Sequence, residues 1–160
     1  MNAQTKKQGF TIIEVVLVLA IAGLIFLMVF IALPALQRNQ RDTARKNDMS
    51  RAQTAINTAA SNSRGALPTL DAAFITRYLQ VNGDEFKDPA GKDYAFSALA
   101  GAAAPTTGFD GNNSAQTNVR VFYTTGAVCG NDGVVTLNQG SRKVALRLVL
   151  EGGGISCVNN

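Results

Sequence analysis

The sequence predicts an α+β protein in which one long N-terminal helix precedes, and packs on, a small antiparallel β-sheet. Three observations carry this. Val15 to Leu36 hold no charged residue, and a helix of about 22 residues spans about 33 Å, enough to cross a bilayer core. Helical spacing continues past that run, in the apolar stripe Met49, Ala52, Ile56 and Ala59. Strand-like alternation is confined to the last third of the chain, so helix comes first and meander second.

The first helix is read from near Phe10 to about Asn62. Between Gln37 and Asp48 it is polar on every side, with Ala44 the single apolar residue. The pairs Arg38–Asp42, Asp42–Lys46, Arg45–Asp48 and Asp48–Arg51 are spaced to support it, at about 0.2–0.5 kcal/mol each. Gly65 and Pro68 end it. Thr69 is placed to cap a short helix over Leu70–Gln80, with Asp71 in its first turn and Phe74, Tyr78 and Leu79 as core candidates. Asp88-Pro89-Ala90-Gly91 has turn chemistry and leads into Tyr94-Ala95-Phe96. Residues Ala98 to Asn118 are rich in Ala, Gly, Thr and Asn and read as an exposed loop. Strands are expected at Val119–Thr125, Val134–Asn138 and Lys143–Leu150, with a final short segment at Ile155–Val158.

Composition bounds the chemistry. The formal charge is +4, and the chain contains no histidine and no tryptophan. Ser–His and Cys–His catalytic pairs and histidine-ligated metal sites are therefore excluded. No other nucleophile–base pair is evident, so an enzyme is not expected, nor is a cofactor. From Gly65 onward basic and acidic residues nearly balance, without the basic stripe that binding a nucleic-acid backbone requires, so charge does not support nucleic acid as a partner. The acidic turn residues Asp84, Glu85, Asp88 and Asp93 are interleaved with Lys87 and Lys92 and read as a solvated loop rather than a cation site. Asp110 opens a stretch like a calcium loop, but Ala115 and Val121 replace the glycine and glutamate such a loop needs. Cys129 and Cys157 follow a membrane segment and are expected to pair in an oxidising compartment; two buried free thiols are the alternative.

One stretch identifies a relative. Lys6-Lys7-Gln8-Gly9-Phe10-Thr11-Ile12-Ile13-Glu14 runs straight into Val15-Val16-Leu17-Val18-Leu19-Ala20-Ile21-Ala22-Gly23. This resembles the class III signal of type IV prepilins, a basic leader ending in Gly, then Phe, then a glutamate at the fifth position of an apolar helix. The resemblance implies the pilin fold, cleavage by prepilin peptidase between Gly9 and Phe10, and N-methylation of Phe10. It divides the chain into a leader over 1–9, a membrane and filament-core helix over 10–36, a polar-to-amphipathic helix over 37–63 and a globular domain over 64–160. A lone carboxylate inside a membrane helix is costly, which marks Glu14, with Phe10, as the assembly pair. Gly23 and Pro34 are expected to soften the helix, Pro34 sitting about one turn later than the family's usual proline.

The implied function is a structural one. The chain is expected to start as a single-pass precursor in the cytoplasmic membrane and to end in an extracellular pilus serving adhesion, motility or DNA uptake. Its expected partners are itself, prepilin peptidase, and the assembly platform with its ATPase machinery. A pseudopilin of a secretion or competence system is the nearest alternative, and a single-pass anchored binding domain that never polymerises is the distant one. One sequence feature points the other way. Arg38, Arg41, Arg45 and Lys46 flank the far end of the apolar run more heavily than Lys6 and Lys7 flank the near end, against the positive-inside rule.

Overall fold

The computed structural model describes residues 9–81, 83–106 and 118–160. The basic residues Lys6 and Lys7, and the Asp110 stretch, lie outside the described residues. The chain forms two compact units, residues 1–37 and 38–160.

Helix α1 spans Ile12–Asn62 and includes both Gly23 and Pro34. In the first unit no described residue is buried. Phe10, Ile12, Ile13, Leu17, Leu24, Phe26 and Phe30 are all more than half exposed. A helix that is apolar on all sides and has no buried residue among those described has the length and composition of a membrane span.

In the second unit α1 turns amphipathic. Met49, Ala52, Ala55, Ile56 and Ala59 are buried, at helical spacing, and pack into one core with Val119, Val121, Val144, Leu146 and Leu148. The alanines let the helix lie close against the sheet. Each large aliphatic side chain withdrawn from water contributes about 1.5–3 kcal/mol.

The main sheet has strands β1 (Asp93–Ala98), β2 (Asn118–Thr125), β5 (Val144–Val149) and β6 (Ile155–Asn159), in the order β1-β2-β5-β6. The pairs β2–β5 and β5–β6 are antiparallel, as the meander reading expects. Strand β1 instead joins β2 in parallel, with Asp93 opposite Asn118 and Ala98 opposite Tyr123. A parallel partner needs a crossover of a dozen or more residues, which residues 99–117 supply. The expected strand at Val134–Asn138 shrinks to β4 (Val135–Thr136). It pairs with β3 (Val128–Cys129) in a separate two-stranded ribbon. That ribbon covers the sheet face opposite α1, where Ala127, Val135 and Ala145 form a second small core. Strand β5 is thus central and buried on both faces.

The short helix is capped by Asp71 rather than Thr69. The Asp71 Oδ1 accepts from the Phe74 amide at 2.8 Å. Helix α2 (Ala72–Phe74) passes directly into a π turn over Ile75–Leu79. The residue inserted by the wider turn brings Phe74, Tyr78 and Leu79 toward the core together.

Candidate functional site

The N-terminal site is local. Thr11 precedes the helix, and its backbone amide and its Oγ1 both donate to Glu14 Oε2 at 2.8 Å. The Glu14 amide donates back to Thr11 Oγ1 at 3.4 Å. This is a capping box, in which residue N-cap and residue N3 satisfy each other's free amides. It holds the only carboxylate of the apolar segment at the helix start, where the partial positive charge of the helix favours an anion. Gly9 and Phe10 lie immediately ahead of it in exposed, non-helical chain, with Phe10 89% exposed. The Gly9–Phe10 junction and the carboxylate are therefore neighbours on one short stretch. Thr11 carries its own signal in the sequence, Thr-x-x-Glu before an apolar run, which sets the cap apart from the cleavage pattern.

The second site is an ion cluster built from three segments of the globular unit. Arg45 of α1 is fully buried. Its Nε donates to Asp88 Oδ1 at 2.6 Å and its Nη1 to Asp42 Oδ1 at 2.8 Å and Glu151 Oε2 at 3.2 Å. Arg41 Nε donates to Glu151 Oε2 at 2.8 Å. Asp42 does not pair with Arg38 or Lys46 as spacing suggested. Its oxygens instead accept the backbone amides of Glu151 and Gly152 at 2.9 and 2.7 Å. A Cβ at position 152 would lie 3.0 Å from Asp42 Oδ2, so glycine is what lets the β5–β6 turn approach this closely. Asp48–Arg51 forms as expected at 3.4 Å, and Arg51 also reaches Asp84.

The electrostatics follow from that geometry. Burial works against the charge of Arg45, but hydrogen bonds to Asp88, Asp42 and Glu151 outweigh it and hold its pKa above the ordinary value. Hydrogen bonding to Arg41, and to Arg45, pulls Glu151 down to about 2. Burial beside Asp48 and Asp88 pushes the Tyr94 phenol up, and its hydroxyl donates to Asp48 Oδ2 at 3.0 Å.

The cluster also bears on the charge asymmetry. Arg41 and Arg45 are not a bare cationic flank, because folding brings Asp88 and Glu151 onto them from far downstream. Asp42, Asp88 and Glu151 engage Arg38, Arg41 and Arg45, while Asp48 pairs with Arg51. The turn acids are likewise committed, Asp84 to Arg51 and Glu85 to Lys87. Among the described residues no three His, Cys, Asp or Glu side chains converge as a metal-ligand set.

Cys129 of β3 and Cys157 of β6 are joined by a disulfide, with 5.8 Å between their Cα atoms. It ties the covering ribbon to the last strand. Beneath it, opposite Cys157 on the neighbouring strand, lies fully buried Arg147. Its Nη1 donates to the carbonyls of Ala103 and Gly133, and its Nη2 to Thr124 Oγ1. Burial lowers its pKa. Nothing in the local sequence marked Arg147, because an arginine alternating with leucines reads as a solvent-facing position.

Residues 4–30 match a family described as the prokaryotic N-terminal methylation motif. No curated protein and no solved structure matches the chain. The motif and the exposed apolar helix fit a membrane-anchored precursor, and the motif points to a structural protein, consistent with polymerisation and with processing by prepilin peptidase. The stretch that spans the Gly9–Phe10 junction and the Thr11–Glu14 capping box carries the prokaryotic N-terminal methylation motif, the class III signal segment of type IV pilins and pseudopilins, and indicates a precursor of that kind.

Proposed function

We propose that this chain is a structural subunit of a type IV pilus. Prepilin peptidase cuts it between Gly9 and Phe10, the new amine of Phe10 is methylated, and the subunit polymerises through its N-terminal helix into an extracellular filament. The observation that carries this is the single carboxylate, Glu14, at the start of an otherwise uncharged apolar segment with no buried residue, inside the matched N-terminal methylation motif. An apolar surface of that extent requires lipid or other apolar helices around it.

Cleavage creates a positive amine four residues from Glu14. A buried ion without a partner costs several kcal/mol, whereas a paired one roughly breaks even. In the membrane the two groups neutralise each other within one chain. In the filament Glu14 of a docked subunit accepts the amine of the incoming one, and only one axial register leaves no charge unpaired. The test is mass spectrometry of filaments sheared from the cell surface. Peptides of this chain beginning at N-methylated Phe10 are the expected result, and filament-derived chain that retains Met1 overturns the reading.

A further inference from the structure

The globular unit sorts its charge by position. On the side where α1 carries residues 41–51, Arg41, Arg45, Arg51 and Lys87 are paired with Asp42, Asp48, Asp84, Glu85, Asp88 and Glu151. The other end of the helix segment, about 24 Å further along its axis, is different. Arg64, Arg77 and Arg142 are exposed there and make no ion pair with any described residue. The Arg142 guanidinium lies over the helix end, with its Cζ 3.1 Å from where a Cβ on Gly65 would sit. Gly65 follows Arg64, and its positive φ of 86° turns the chain out of the helix. Arg77 shares a small surface hollow of about 290 Å³ with Ser63, Thr69 and Tyr78. Lys143 follows Arg142 and donates to the Asn160 backbone oxygen at 2.8 Å. The one carboxylate in that hollow, Asp71, is engaged as the cap of α2.

We propose that this arginine-rich end of the domain binds the phosphate backbone of nucleic acid. Residue counts conceal the patch, because the near-neutral total over residues 65–160 includes acids that folding gathers around the opposite end. Three of the four cations are arginines, whose planar donors match phosphate oxygens in pairs. Asn62 and Ser63 are exposed beside them and add neutral donors. The aromatic ring nearest the patch, Tyr78, is half-buried against Phe74 and offers no platform for a base, so recognition is of the backbone and independent of sequence. Cations at a helix C-terminus also complement the helix dipole, which by itself supports stability but not binding.

The inference takes up the DNA arm of the pilus reading but does not depend on polymerisation, so it is tested on the full chain in non-ionic detergent micelles. The probe is a fluorescent mixed-sequence DNA duplex of about 25 base pairs, followed by anisotropy across a salt series. About three phosphate contacts give a slope near −3 for log K against log salt, so tripling the salt weakens binding about 20–30-fold. The Arg64→Gln/Arg77→Gln/Arg142→Gln variant is expected to lose at least tenfold in affinity and to flatten the slope. The Lys46→Gln/Lys87→Gln/Arg120→Gln variant removes the same formal charge elsewhere and is expected to change affinity less than threefold. Arg142→Lys in the native background keeps the charge and most of the binding, which separates loss of binding from loss of fold. Equal losses in both triple variants, unchanged binding in the arginine variant with only its melting temperature lowered, or binding of dextran sulfate but not DNA would each overturn the proposal.

Discussion

Arg45 shows how much one side chain can organise. It is fully buried and faces three carboxylates contributed by the helix, the Asp88 turn and the β5–β6 turn. Removing it leaves Asp42 and Asp88 buried and uncompensated, so Arg45→Ala is expected to cost about 3–5 kcal/mol in denaturant unfolding of the full chain in micelles. Glu151 carries the pH dependence of the cluster. Its folded pKa is about 2, below the ordinary 4.5. A depressed carboxylate adds stability that is complete above the unfolded pKa and is lost as pH falls toward the folded one. Thermal stability is therefore expected to decline from about pH 4.5 toward pH 2, and Glu151→Gln to flatten that decline in melts taken across the range. Asp48, which burial pushes up, acts in the opposite sense and partly offsets the loss.

At the scale of elements, the covering ribbon and last strand depend on covalent closure. The disulfide joins residues 28 apart in sequence, and removing a cross-link of that size costs about 3–4 kcal/mol on the chain-entropy model. Cys129→Ser/Cys157→Ser is expected to lose that amount in denaturant melts, with hydrogen exchange rising first in β3, β4 and β6. Gly133 is a second sensitive point. Its φ is +76° and a Cβ there would come within 2.6–2.8 Å of Ile155, so Gly133→Ala is expected to separate the same ribbon from β6 and lower the melting temperature. These elements also show what sequence can and cannot express. The Met49–Ala59 stripe and the alternation of Val144, Leu146 and Leu148 were legible because each records a local repeat against one face. The parallel seating of β1, the burial of Arg147 and the reach of Asp42 to the Gly152 amide were not. They are set by partners on distant segments, and local spacing carries no trace of them. The helix over 37–48 illustrates the difference, since its apparent all-polar surface conceals two residues, Asp42 and Arg45, that the domain buries.

For the whole molecule, the proposed function puts assembly on the apolar helix and its single carboxylate. Glu14→Ala is expected to leave membrane insertion and leader cleavage intact while filament number, counted by electron microscopy, falls at least tenfold. Glu14→Gln still accepts a hydrogen bond from the Phe10 amine and should lose less. Normal piliation in the alanine strain would remove the proposed charge pairing. Disappearance of the protein from membranes would instead assign Glu14 to stability alone.

The attachment of the β5–β6 turn to α1 acquires another meaning when the chain is under load. Tension drawn along the helix enters the domain at residues 41–45, and there Asp42 and Arg45 already grip the turn through two backbone amides and Glu151. Pull is thus passed to β5, an inner strand, and to β6, an edge strand held by a covalent cross-link, rather than to the opposite edge strand β1. The grip at Asp42 is therefore expected to be the first point of yield when the domain is drawn out by its own helix.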